Sequence, residues 1–505
     1  MTAGEIVSEK TSTKESFAAR FSDWLNPIVV KELRQAVQSR FVVAALLVLL
    51  AIQIVAVGIY LITAGDPTSN FDAGRQVFMI LFGIMLGVSM LFVPLYTGVR
   101  LLSERSETNL DLLFITTIKP RSIIGGKLMA AVMLTILIFS ACLPFLTFTY
   151  FLRGIDLPSM LVALTLGFVV IIVSSQIAIL VACLPVNRAF KFMIGLAMLV
   201  IFLAGYSATL AFTSDVILRG TGSTIGDANF WQWVGILALI FCGLLGSFFV
   251  LSVALIMPLS ANRALPVRLF LTTVWIISGA AAVLGSWVEA THDPLFFWQA
   301  SFNAIFAISL FAAVSERDMP GRRVLRDVPQ FGLKRTLFFF FFSGSASGLA
   351  WTTVMTTATY VVCWIWWRLF PAFSNTDDLI EVTRWLTVMN LFLFCYVMTG
   401  ALLRRHLLTR VGVDLTWLIG VTLVGIGSSV PFLIGMLFFV NNINWWQTDY
   451  GRWLVGNPFV WDIEAHRGLY LSFGVIWAVL VIAFNLHWFI DRVRMFSRLD
   501  STVEQ

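Results

Sequence analysis

A chain of 505 residues that is 59% hydrophobic and only 12% charged is not built as a soluble domain, in which about 25% of residues are charged. Mean hydropathy is +0.88. The net charge of +6 sits in short polar stretches between apolar runs, which argues against nucleic-acid binding. The runs are about 20 residues long, enough to cross a hydrocarbon layer about 30 Å thick, and in lipid only a helix satisfies such a backbone.

Before the first run, Asn26 is placed to cap a helix with Pro27 at its first position. Val29, Val30, Leu33, Ala36 and Val37 then form an apolar face, opposite Lys31, Glu32, Arg34, Gln35 and Gln38. Basic residues beside such a face predict an amphipathic helix lying in the membrane surface. Residues 1–16 are polar and lack the apolar core of a signal peptide, so the first span is expected to serve as an uncleaved signal.

Spans are predicted at 41–64, 77–99, 128–152, 160–185, 192–212 and 233–259, then at 269–288, 295–314, 336–367, 385–403, 415–440 and 469–490. The expected fold is an all-α integral membrane protein with two six-helix halves. Residues 1–40 form a tail and interfacial helix, 41–265 and 266–490 the two halves, and 491–505 a second tail. Of the 34 lysines and arginines, 27 fall in the two tails and the loops on their side and 7 in the alternate loops. The positive-inside rule therefore places both termini in the cytoplasm, and the protein in a bacterial-type plasma membrane.

Several features along the spans need an account. Gly83 and Gly87 form a GxxxG pair, as do Gly344 and Gly348, and predict close helix packing. Gln53, the Ser174-Ser175-Gln176 cluster and Asn485 are read as interhelical hydrogen-bonding groups, and no charged residue falls within a predicted span. The ninth run is too long for one simple crossing. Phe338 to Phe342 are expected at the interface, with the small residues 343–348 turning the chain inward. Gly425, Gly427, Ser428, Ser429 and Pro431 predict a kink in the eleventh span, or a broken helix at a substrate site. Trp231, Trp233, Trp298, Trp364, Trp366 and others at one set of span ends read as an aromatic belt.

The five cysteines lie within spans without CxxC spacing and are read as small core residues. The four histidines have no partner at ligand spacing, and no GxxxxGK[ST] phosphate loop is present. No catalytic, metal or cofactor residue is expected on this chain. Without charge inside the membrane, an ion-coupled mechanism is disfavoured. Energy for uphill transport would have to enter from outside the membrane domain.

The loop at 100–127 is where it would enter. Thr108 with Asp111 is a capping box opening the apolar run Leu112-Leu113-Phe114-Ile115, which stops at Thr116-Thr117. Pro120 is expected to start the helix that enters the membrane after Lys127. The short apolar helix either packs on its own bundle or meets a partner.

This loop resembles the coupling-helix region of type-2 ABC transporter permeases. Glu104-Arg105, Glu107, Thr108, Leu110, Leu112-Leu113, Thr116-Thr117, Pro120 and Gly126-Lys127 carry the resemblance, with Glu107 where glycine is common and Ile118 where a proline often follows. The Pro27, Lys31-Glu32-Leu33-Arg34 segment resembles that family's surface connecting helix. The match covers about residues 24–265. It implies a permease subunit, an exporter, with ATP bound and hydrolysed on a separate cytoplasmic ATPase seated on this loop. It also implies pairing with a second copy or a related permease. An ATP-independent transporter or channel, or a membrane scaffold, are the alternatives. In the second half, Ser315-Glu316-Arg317 follows the eighth span as Ser103-Glu104-Arg105 follows the second, but the loop beyond it is basic. A duplicated unit and a separate accessory domain both fit.

Overall fold

Among the described residues of the computed structural model, twelve helices are long and apolar enough to span a membrane, and each overlaps one of the predicted runs. The chain is an all-α, multi-pass membrane protein. The structure describes residues 30–32, 34–35, 38–63, 72–104, 119–152, 154–185, 188–222, 224–258, 261–317, 328–329, 332–372, 376–438, 449–460 and 467–496. It divides into two units, Met1–Met257 and Pro258–Gln505.

The first unit holds α1 (Arg40–Thr63), α2 (Ala73–Glu104), α3 (Pro120–Phe151), α4 (Leu157–Cys183), α5 (Arg188–Arg219) and α6 (Ala228–Ile256). Helix α2 lies at its centre. Val77, Phe78, Leu81, Phe82, Met85, Leu86, Met90 and Val93 recur at helical spacing on α2 and are all buried. Lipid is as apolar as leucine, so such helices are held by close packing rather than by the hydrophobic effect. Small residues provide the approach: a Cβ on Gly167 of α4 would stand 3.1 Å from the Phe82 ring. Gly83 and Gly87 admit Tyr206 of α5, whose hydroxyl donates to the Gly83 carbonyl at 3.3 Å. Two of the polar residues bridge helices as expected: Gln53 donates to the Leu81 carbonyl at 3.5 Å, and Gln176 to Ser252 at 3.1 Å, whereas Ser174 and Ser175 bond carbonyls four residues back on their own helix, at 2.8 Å each. Outward, α5 presents Phe192, Met193, Val200 and Leu203, a surface for lipid tails.

The second unit holds α7 (Ala264–Glu289), α8 (Asp293–Val314), α9 (Gly332–Phe340), α10 (Ser345–Leu369), α11 (Thr376–His406), α12 (Thr416–Phe438) and α13 (Arg467–Met495). Residues 341–344 break the ninth run into the short α9 and the span α10. The break is pinned by residues far upstream, 72 to 81 positions away for Asn262 and Arg268 and 28 for Glu316. Asn262 accepts from the Ser343 amide at 3.0 Å and donates to the Phe341 carbonyl at 3.1 Å. The buried Arg268 donates to the carbonyls of Phe340 and Phe342 at 3.0 and 2.5 Å, and pairs with both oxygens of Glu316 at 2.6 Å. Glu316 also accepts from the Gly344 amide at 2.8 Å. A Cβ on Gly348 would meet Ala313 and the Arg268 guanidinium, each at 2.7 Å, so this glycine is required for the approach.

Threonines 352, 353, 356, 357 and 359 of α10 each bond the carbonyl four residues back, which makes a polar span tolerable in lipid. Helix α12 runs unbroken through Gly425 to Pro431. Its Gly427 lies directly against the Tyr396 hydroxyl, which donates to the Gly456 carbonyl at 3.0 Å, so this glycine serves packing. Asn485 accepts from Arg405, another interhelical bond. One belt assignment is corrected. Trp298 is only 6% exposed, its indole N–H donating to Ser278 at 3.1 Å, because α8 turns that face to the unit's core; Trp231, Trp233 and Trp364 are exposed. Four cysteines are buried and Cys242 is exposed.

The spans of the two units share one packing map. In each, the second span touches the first, third, fourth and fifth, the fourth touches the third, fifth and sixth, and the third touches the sixth. The second half therefore repeats most of the span-to-span contacts of the first, although the sequence likeness reduces to a tripeptide.

At the start of α4, Asp156 accepts from the Ser159 amide at 3.2 Å, the Ser159 hydroxyl at 2.6 Å and the Gly222 amide at 3.0 Å. Burial pushes this carboxyl up, but the hydrogen bonds from Ser159 and Gly222 outweigh it and hold it below the ordinary aspartate range. A carboxyl depressed on folding contributes stability that is present above about pH 4 and lost as the pH falls further. Asp156→Ala should therefore lower stability by about 1 kcal/mol near neutrality. The gap in melting temperature between the two purified proteins should close below about pH 4; a constant gap would deny the charge its role.

Candidate functional site

The described ends of the 100–127 loop come together around one carboxylate. Helix α2 carries the chain to Glu104, and α3 restarts at Pro120, whose missing N–H suits the first helical position. Lys119 precedes it with extended backbone. Two turns into α3, Lys127 turns inward and its ammonium donates to Glu32 Oε1 at 2.7 Å. Side chains of both are 4% exposed or less. From α2, the Arg100 Nε lies 3.3 Å from Glu32 Oε2, and its guanidinium also bonds the Tyr96 hydroxyl and Gln35. The surroundings are apolar: Leu101, Ile124, Ile179, Ala182, Val253 and Ile256 form a buried cluster at this end of the unit.

This arrangement corrects the reading of Glu32 as a residue of the helix's water face. Residues 30–32 and 34–35 are helical, with Lys31 and Arg34 exposed, but Glu32 is 3% exposed. A carboxylate enters such a place because two cations, on helices entering and leaving the loop, compensate its desolvation. The partners are 68 and 95 residues away in sequence, so periodicity around Glu32 carried no sign of them. Arg100 was missed as a site residue; its position at the last turns of α2, facing a basic residue across the loop, was the available signal.

Of the other residues predicted for this site, Pro27, Leu33, Arg105, Glu107, Thr108, Leu110, Leu112, Leu113 and Thr117 lie outside the described residues. The structure thus joins Glu32 and Lys127, ends α2 at Glu104 and begins α3 at Pro120.

No protein-family description, curated protein or solved structure matches this chain.

In chemical terms the site is a tie. One carboxylate holds α2, α3 and the segment before α1 together at the mouth of a loop. Removing one member leaves buried charge behind, whereas removing both members need not. Glu32→Leu alone should destabilise the protein by about 3–5 kcal/mol, and Glu32→Leu with Lys127→Met should recover most of that loss. Thermal unfolding of the single and double variants in lipid discs measures the coupling. Additive losses would show that the two groups do not depend on each other.

Proposed function

We propose that this chain is the transmembrane permease subunit of an ABC-type exporter. It is driven by a separate cytoplasmic ATPase that docks on the loop from Glu104 to Lys127. The observation that carries the reading is the Glu32 tie. Because Arg100 and Lys127 both hold the same carboxylate, a push or pull on the loop between them reaches α2, α3 and the pre-α1 segment as one body.

In this reading ATP is bound and hydrolysed on the partner, and this chain carries no cofactor. The face with Glu32 and Lys127 is cytoplasmic in a bacterial plasma membrane, as the bias of 27 basic residues against 7 supports. A two-ATPase machine would be completed by a second copy of the chain or a related permease, with two-fold symmetry if identical.

Orientation is checked by labelling. In a cysteine-free background, cysteines at Asn70 and Asn442 should react with an impermeant thiol reagent applied outside intact cells. Those at Ser106 and Ser501 should react only once the inner face is opened. Labelling of Ser106 from outside would reverse the topology and end the proposal.

Coupling is checked by charge. Leu112→Asp with Leu113→Asp would place unpaired charge in the contact with the ATPase, which costs several kcal/mol, on the order of 3–5. Co-purification of the ATPase subunit at equal membrane expression should then fall by more than tenfold, with nucleotide-driven transport falling alongside. Thr108→Ala should act in the same direction but more mildly, by about 1 kcal/mol. Unchanged association would remove the coupling role from the loop and leave an ATP-independent transporter as the better account.

A further inference from the structure

The short helix α9 is tied to the far end of α13, and the tie gathers basic residues at one end of the second unit. The rings of Phe339 and Phe342 lie 5.5 and 4.9 Å from that of Phe496, the residue just past α13, and Val328 completes the cluster. Arg335 of α9 donates its Nε–H to the Phe496 carbonyl at 2.8 Å. The last carbonyls of a helix lack partners within it and carry partial negative charge, so a guanidinium is well placed there.

Around this tie the surface mixes charge with hydrocarbon. Lys334 stands exposed on α9 beside Leu337 and Phe338, which are 56% and 43% exposed. Arg492 and Arg494 stand in the last turn of α13, beside the exposed Val493 and Met495. Against these basic residues the same two stretches carry a single carboxylate, Asp491, and it lies 3.4 Å from His487. Among the described residues, no acidic side chain pairs with Lys334 or Arg494.

Basic residues at a span end follow from the positive-inside rule and by themselves indicate no ligand. Two observations go beyond that rule. The basic residues come from stretches about 160 positions apart in the chain, held in one register by packed rings and a hydrogen bond. Large apolar side chains also stand exposed between the charges, the composition of a helix seated in the headgroup layer. Four basic residues grouped on such a helix and at the end of a span attract anionic lipid. The span α10 starts five residues after α9 ends, so α9 stands where headgroups meet acyl chains.

We propose that α9 and the last turn of α13 bind the headgroup of an anionic phospholipid of the surrounding bilayer. Lys334 and Arg494 hold its phosphate, and Leu337 and Phe338 lie against its acyl chains. Arg335, engaged with the Phe496 carbonyl, positions α9. A lipid bound in this way bridges the start of the broken ninth run and the end of the last span. The site needs no ATPase, so its failure would leave the coupling loop untouched.

The test places the full chain in phosphatidylcholine discs carrying a trace of photoreactive phosphatidylglycerol. Photoreactive phosphatidylcholine with the same acyl chains is the comparison. Mass spectrometry should find phosphatidylglycerol on peptides holding residues 334–338 and 492–496 at least tenfold more often than phosphatidylcholine. Lys334→Gln with Arg494→Gln should remove that preference. Both residues are exposed, so this variant should melt with the wild type in pure phosphatidylcholine discs. Lys334→Arg with Arg494→Lys keeps the charge and should keep the preference, which separates loss of charge from loss of fold. Equal labelling by the two lipids in the wild type would overturn the proposal. So would a preference that survives in the glutamine variant or vanishes in the charge-keeping one. Capture of a polyglutamate peptide that phosphatidylglycerol does not displace would assign the surface to an acidic protein instead.

Discussion

Everything at the loop-bearing end of the first unit depends on one buried carboxylate. Taking a charge out of water costs several kcal/mol, on the order of 5 or more, unless partners are fixed around it. Glu32 has two such partners, Lys127 and Arg100, and they stand on either side of the same loop. The price is that none of the three can move alone. Helices that would otherwise slide in a nearly uniform apolar medium are locked in register at one end, while further along only shape, as at Gly167 against Phe82, keeps them in place.

The second unit solves a related problem with different chemistry. The buried Arg268 pairs with the partly exposed Glu316, and their further hydrogen bonds go to the backbone at 340–344 and to Ser347 rather than to another cation. The pair therefore shapes a broken helix. In both units a carboxylate links the two ends of the loop between the second and third spans: Glu32 through Arg100 and Lys127, Glu316 by standing before the loop and bonding Gly344 after it. The two units make the link with different parts.

How much of this was legible depended on range. The spans were, because an apolar run of about 20 residues has one stable form in lipid. The break near Phe342 was, because Ser343-Gly344-Ser345 is poor helix and sits beside five phenylalanines. The inward turn of Glu32 was not, since the cations that make it tolerable lie in other helices. Trp298 misled for a similar reason: at a span end a tryptophan reads as a belt residue, but α8 is central and Ser278 of α7 takes its N–H. A polar set on α8, α10 and α11 was also missed. Asn303, Tyr360 and Asn390 look isolated along the chain, and only folding brings them within hydrogen-bond reach. The residues that carry the permease resemblance, 105–118, lie outside the described residues, so the resemblance still rests on their sequence.

The pinned break before α10 bears on how the chain is assembled. At 1.2, α10 has the lowest hydropathy of the twelve spans, so the bilayer alone holds its depth weakly. Its starting point is fixed instead by Asn262 and Arg268 at the head of α7. During synthesis those two residues emerge long before α10 does. The contacts that fix the start of the threonine-rich helix thus come from residues made before it in the chain.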